Sequence, residues 1–295
     1  EKPSQYTLTS LLEDEPFSVK GADGQVWKPQ NYGRQAYGTV YLYQALANSY
    51  NLSTARLGLD LGVPNVLKTL ERLGASPKWP AYPSMLLGAG GLRPIEVADM
   101  YQTLANGGFN TPLRGIRSVL TADGEPLKRY PFQIQQRFDP GAIYLTQYAM
   151  QRAMREGTGR SAYNRLPQSL NLAGKTGTTN DSRDSWFAGF SQDLLAVVWL
   201  GRDDNGKTSL TGATGALQVW TDFMRRADPL PLQMPVPDNV SYAWVDARSG
   251  LGTDERCPDA VQMPYIRGSE PAPGPGCGIQ APAESVMDWV RGWLQ

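Results

Sequence analysis

Lys175-Thr176-Gly177-Thr178-Thr179 is the stretch on which the fold turns. It closes Asn171 to Thr179, the first of three consecutive strand signals. Ser185 to Phe190 and Leu194 to Gly201 follow, with polar turns between them. Turns this short imply an antiparallel meander. A glycine weakens a strand unless something must approach its backbone closely. A peptide lying along an exposed strand edge, held by main-chain hydrogen bonds, would be such a visitor. A lysine among threonines would then anchor a carboxylate at the end of that peptide. The same residues also suit an edge strand guarded by a charge and a glycine bulge. Lys-Thr-Gly arises by chance in roughly one chain of twenty at this length, so the motif alone decides little.

Upstream the hydrophobic period is 3.6 rather than 2. Gly21 to Tyr32 is turn-rich, with Asp23-Gly24 as a hairpin signal. Thr39 is placed to cap a helix through Leu42, Ala45 and Leu46. A second helix is expected from Ser53 to Leu61, stopped by Gly62 and Pro64, with Asn48-Ser49-Tyr50-Asn51 as the connection. Val66 to Leu73, Arg93 to Ala105 and Gly141 to Glu156 also read as helices, and Ile116 to Lys128 as a hairpin. Pro94 in the first turn and Asn106-Gly107-Gly108 after the end bracket the Arg93 helix. Beyond the meander, Leu217 to Arg226 returns to helix. Four prolines between Pro229 and Pro237 read as a linker, and Val240 to Val245 as a strand.

Composition narrows the chemistry. The 295 residues hold 28 Lys+Arg against 28 Asp+Glu, which gives no electrostatic reason to hold nucleic acid. There is no histidine, so Ser-His-Asp and Cys-His catalysis and histidine-ligated zinc are excluded. Two cysteines cannot make a four-cysteine metal site, and no cofactor is expected. Proton transfer must run through Lys, Asp, Glu, Tyr or hydroxyl groups. The 31 glycines and 23 prolines point to many turns, because 41% hydrophobic residues suffice for a core. No apolar run approaches the ~20 residues that span a bilayer.

Ser49-Tyr50-Asn51 is a Ser-x-Asn triplet, which chance supplies about once per chain of this length and which commonly caps a helix. Ser-x-Asn at a helical corner, followed by Lys-Thr-Gly on a strand in a chain without histidine, is a pairing shared by penicillin-binding proteins and class A β-lactamases. The chain resembles the transpeptidase domain of bifunctional class A penicillin-binding proteins, of the 1B type. The likeness extends through GQVWKPQNY (24–32), ALANSYNLSTARLGLDLG (45–62), MLLGAGGLRPIEVADMYQTLANGG (85–108), REGTGR (155–160) and AGKTGTTNDSRDSWFAGF (173–190).

The resemblance implies an α+β, serine penicillin-recognising fold: an antiparallel sheet flanked by helices, beside a helical subdomain. It implies acyl transfer from a D-Ala-D-Ala stem peptide of peptidoglycan to an amine, with β-lactams as covalent inhibitors. Ser49 would relay a proton, and Asn51 would orient the catalytic lysine and the substrate amide. Lys175 would supply positive potential. Thr176 and Thr178 would contact the carboxylate, with the Thr178 N–H as an oxyanion donor. Gly177 and Thr179 would complete the substrate strand. The implied setting is the periplasmic side of a bacterial inner membrane, with an anchor and a glycosyltransferase domain outside this chain. Cell-wall synthesis proteins and lipoprotein activators would be partners.

One part of the pattern is missing: no serine is followed three residues on by lysine. The nearest is Ser53-Thr54-Ala55-Arg56, and arginine does not deprotonate to act as a base. The Ser-x-x-Lys nucleophile is therefore expected upstream of Glu1. Two other readings stay open, a peptide-binding module without a nucleophile and a hydrolytic carboxypeptidase or β-lactamase. Residues 1–228 are read as the penicillin-binding domain and 229–295 as a Pro/Gly-rich appendage. Cys257 and Cys277 flank a Pro/Gly-rich loop and are expected to pair in an exported protein; two free thiols are the alternative. Glu284 to Gln295 reads as a terminal amphipathic helix.

Overall fold

The meander of the sequence reading is present. In the computed structural model, Ala173–Thr178, Ser185–Phe190 and Leu195–Leu200 form a three-stranded antiparallel sheet with Ser185–Phe190 in the middle. Residues 4–21, 24–76, 78–274, 276 and 277 are described. Asp23 of the expected hairpin and the expected helix from Glu284 lie outside them. Lys175 stands opposite Ala188, and Gly177 opposite Trp186, which in turn pairs with Trp199. Cross-strand partners share a face, so Lys175, Gly177, Trp186, Ala188 and Trp199 point to one side and Thr176, Thr178 and Phe187 to the other.

The described residues divide into two compact units, one within 8–237 and one of 4–7 with those from Asp238 onward. The first unit contains helices α1 (Leu42–Asn48), α2 (Asn51–Leu61), α3 (Val63–Leu73), α4 (Pro94–Ala105), α5 (Pro140–Arg155) and α6 (Ala216–Ala227), of which α4, α5 and α6 pack on the sheet. Phe187 packs at 4.8 Å between ring centroids on Trp220 of α6, among Met154, Leu172, Leu217 and Met224. Each side chain of that size contributes about 1.5–3 kcal/mol on burial, so this cluster locks α5 and α6 to the far face of the sheet. Phe190 and Ala173 join Met150 and, from α4, Tyr101, Leu104 and Ala105.

Several local expectations change. Thr39 does not cap α1: it lies in the strand Gly38–Tyr41, paired with Glu13 of the strand Leu11–Asp14. The cap is made at Tyr41, whose N–H donates to Gln44 Oε1 at 3.1 Å. The α1–α2 connection is two residues, not four, because Asn48 still belongs to α1 and Asn51 already to α2. Pro64 does not stop a helix but starts α3, where its missing N–H costs nothing. The proline run 229–237 is no loose linker. Leu232 is buried against Met150 and Phe190, and its N–H donates to the Leu170 carbonyl at 2.9 Å. Proline fixes an extended chain, and an extended chain can be strapped to a core.

In the second unit, Val240–Asp246 pairs antiparallel with Ala260–Ile266, a strand the sequence reading missed. Pro264 fits inside it because one side of a strand in a two-stranded ribbon needs no partner. Cys257 and Cys277 are joined as a disulfide with their Cα atoms 5.4 Å apart.

Candidate active site

Lys175 and Ser49 meet. The Lys175 Nζ donates to Ser49 Oγ at 2.9 Å and to the Thr176 carbonyl at 3.0 Å. The lysine comes from an edge strand, since Ala173–Thr178 has a strand neighbour on one side only among the described residues. The serine comes from the sharp corner between α1 and α2. Ser49 holds φ 59° and ψ 45°, a left-handed conformation that costs a β-carbon-bearing residue roughly 1–3 kcal/mol. In return the helix ends within one residue: the Ser49 N–H donates to the Leu46 carbonyl and the Tyr50 N–H to the Ala45 carbonyl. Enclosure of the ammonium, which disfavours its charged form, brings the Lys175 pKa down to about 8.

Asn51 opens α2. Its side-chain nitrogen donates to the Gln30 carbonyl at 2.8 Å, and its N–H donates to Asn31 Oδ1 at 2.7 Å. No hydrogen bond joins Asn51 to Lys175 among the described residues. The threonines of the strand divide by face. The Thr176 and Thr158 hydroxyls share a hydrogen bond of 2.7 Å. Thr178 Oγ1 accepts the Gly212 N–H at 2.9 Å and keeps its own proton to give away. The Thr179 hydroxyl is spent on a turn, donating to Asp184 Oδ2 at 3.0 Å and accepting the Asp184 N–H at 2.8 Å. Thr179 nevertheless lines the same cavity as Lys175, Thr176 and Gly177.

Gly177 has close visitors, and they are internal. A Cβ on Gly212 would fall 2.7 Å from the Gly177 carbonyl oxygen, so the segment carrying Gly212 lies directly over this strand. Gly157 makes the corresponding approach to α1: a Cβ there would fall 2.0 Å from the Ala47 carbonyl oxygen. That contact lets the Thr158 N–H donate to Ala47 at 3.0 Å, and so brings Thr158 to Thr176. Thr158 was absent from the candidate residues. Its signal was the glycine on either side, in the quoted REGTGR stretch.

A cavity of about 600 Å³ is lined by Lys175, Thr176, Gly177 and Thr179, by residues 88–93, by Pro94, Val97 and Tyr101 of α4, and by Asp184, Trp186 and Trp199. The Trp199 Nε1–H donates to Asp184 Oδ1 at 2.9 Å. Burial pushes the Tyr101 phenol up to about 12, so it stays protonated at neutral pH. Among the described residues no cluster of three Asp, Glu or Cys side chains suits a metal ion.

Residues 6–212 match the family described as penicillin binding protein transpeptidase domain. The chain belongs to that family. It is 44% identical over 263 residues to penicillin-binding protein 1B of Vibrio cholerae, covering 89% of this chain and 34% of that protein. Identity to penicillin-binding protein 1B of Escherichia coli is 41% over 249 residues, covering 83% of this chain and 29% of the relative. The chain thus spans about a third of the length of these relatives. Among solved structures, penicillin-binding protein 1A from Haemophilus influenzae superposes with a TM-score of 0.83 at 24% identity, over 90% of this chain and 46% of that one. The PonA1 protein from Mycobacterium tuberculosis in complex with penicillin V superposes at 0.66 and 24% identity, over 79% and 68%. The fold is therefore the penicillin-recognising one.

Proposed function

We propose that this chain is the acyl-transfer part of a peptidoglycan D,D-transpeptidase that β-lactams acylate. The observation that carries the reading is the Lys175 Nζ–Ser49 Oγ hydrogen bond of 2.9 Å, because it unites the Lys-Thr-Gly and Ser-x-Asn motifs in one proton-transfer unit. A serine outside residues 1–295 attacks the carbonyl of the terminal D-Ala-D-Ala bond. Its proton passes through a lysine and Ser49 to the departing nitrogen, the C–N bond breaks, and D-Ala leaves as the amine. An acceptor amine from a second stem peptide then attacks the ester, forms the new amide and returns the serine. Lys175 steadies the relay and draws the substrate carboxylate, to which the Thr176 and Thr178 hydroxyls donate. The Thr178 N–H faces the developing oxyanion, a contribution of about 2.7–4 kcal/mol in other acyl-transfer enzymes. Asn51 holds the substrate amide through its oxygen.

The whole protein, on this reading, sits on the periplasmic face of an inner membrane and also polymerises glycan strands. No helix among the described residues is long and apolar enough to cross a membrane. On the same reading, stem peptides, β-lactams and activator proteins are its partners. The test is Lys175→Ala in the natural protein that contains this chain. Labelling by a fluorescent penicillin should fall by two or more decades with the fold intact, since a charge-assisted contact contributes roughly 1.5–3 kcal/mol at ~1.4 kcal/mol per decade and the relay is lost with it. Near-normal labelling would overturn the assignment.

A further inference from the structure

The first N–H groups of any helix lack partners inside it. In α2 they are satisfied from outside by two residues far upstream. Asn31 Oδ1 accepts the Asn51 N–H at 2.7 Å and the Leu52 N–H at 3.3 Å. Asp14 Oδ1 accepts the Ser53 N–H at 3.0 Å. Tyr50, the residue at the N-cap, makes no side-chain capping bond. The two upstream residues are themselves clamped together. Asn31 Nδ2 donates to Asp14 Oδ2 at 2.5 Å and to the Gln35 carbonyl at 2.8 Å, while the Tyr37 N–H donates to Asp14 Oδ2 at 3.1 Å. Asp14 is fully buried and Asn31 is 4% exposed, so no water stands in for a missing partner at low cost.

This arrangement does more than end a helix. A Ser or Asp at position 50 would cap α2 locally and leave its start free to move with α2 alone. The remote cap instead ties the start of α2 to the Asn31 loop and to the strand Leu11–Asp14. Both the N–H and the side-chain nitrogen of Asn51 end on residues 30 and 31, and Tyr50 stacks on Tyr37 at 4.2 Å between ring centroids. Ser49 comes just before them in the chain, held in its left-handed conformation and bonded to Lys175.

We propose that Asp14 and Asn31 are positioning residues for the acyl-transfer reaction, holding the Ser49–Asn51 corner in register with Lys175. The inference rests on the transpeptidase reading above.

The experiment compares the natural protein with its Asn31→Ala and Asp14→Asn variants. Asn110→Ala serves as control, because Asn110 is buried and donates to Thr103 Oγ1 at 2.9 Å away from α2. Amide hydrogen exchange at Asn51, Leu52 and Ser53 reads the cap. Penicillin labelling, resolved into non-covalent binding and the first-order acylation step, reads the chemistry. Asn31→Ala and Asp14→Asn should lose protection at those amides. Their acylation step should slow by ~10- to 100-fold, as expected for a misplacement near 1 Å, with binding little changed. Asn110→Ala should lose thermal stability without that slowing. Normal labelling of the two variants, or equal slowing in Asn110→Ala, would overturn the positioning role. Failure of the parent protein to label would instead overturn the transpeptidase reading, and the positioning role with it, whatever the exchange data show about the cap.

Discussion

Lys175 and Ser49 lie 126 positions apart in the chain and 2.9 Å apart in space, donor to acceptor. One comes from the edge of a sheet and the other from a strained helical corner, so neither local structure predicts the other. The bond exists because the Gly157–Ala47 approach presses the end of α5 onto α1 while Thr158 and Thr176 tie the same region to the sheet.

That lysine makes stability depend on pH in a definite direction. Its folded-state pKa of about 8 lies below the ordinary 10.5, so the unfolded chain binds the extra proton between those values. Stability therefore rises with pH across the window from about 8 to 10.5, and the cost of the enclosed charge is fully present below 8. Lys175→Met should melt higher than the parent at pH 7, with the difference shrinking as pH approaches 10.5. Thermal unfolding at both pH values checks this; a parent that is the more stable at pH 7 would contradict it.

Penicillin labelling of the natural protein should decline above pH 8 as Lys175 loses its charge. Lys175→Arg, whose guanidinium stays charged, should lose that alkaline limb even if its overall rate is low. A pH–rate profile of the two proteins measures the effect.

A polypeptide of residues 1–295 should gain no covalent mass on incubation with a β-lactam. Acylation needs an attacking oxygen with a base in reach, and no serine here has a lysine three residues on or any histidine to replace it. Intact-mass spectrometry decides the point. An adduct on Ser49 would show that the nucleophile had been misassigned, whereas a natural protein that also fails to react would favour a binding module without a nucleophile.

Gly157→Ala should destabilise the domain by more than about 3 kcal/mol, because the added methyl meets a backbone carbonyl that cannot step aside. Labelling should fall with it, as Thr158 is pushed from Thr176. Urea unfolding with parallel labelling would show both; a mild effect on each would mean that α1 and α5 yield more easily than their contact suggests.

Cys257→Ser with Cys277→Ser should lower the unfolding temperature of the second unit and leave labelling unchanged. Closing a loop of 20 residues is worth about 3 kcal/mol on a chain-entropy account. Differential scanning calorimetry with and without reductant gives an independent reading of the same bond.

Periodicity made most helices legible, as the 3.6 spacing of α5 records its buried side, while short polar turns between strand-length runs marked the meander, whose central strand Ser185–Phe190 is buried on both faces. The two motifs were legible through their pairing and the resemblance, since each alone also suits a plain edge strand or a helix cap. Thr39 and Pro64 were misread because the competing partner was elsewhere: a strand at Leu11–Asp14 claimed one, and a new helix start used the other. Linear order therefore determined most element types and the catalytic class available without histidine, and with the resemblance it named the candidates Ser49, Asn51, Lys175 and Thr178. Only the tertiary structure decided that Thr176 answers Thr158, that Thr179 closes a turn, and that Asp14 and Asn31 hold the start of α2. Such bonds join residues up to 39 positions apart here, and hydrogen-bond partners at that range leave no periodic trace in the sequence. They are set by packing, which brings a buried donor to whichever acceptor the fold places beside it.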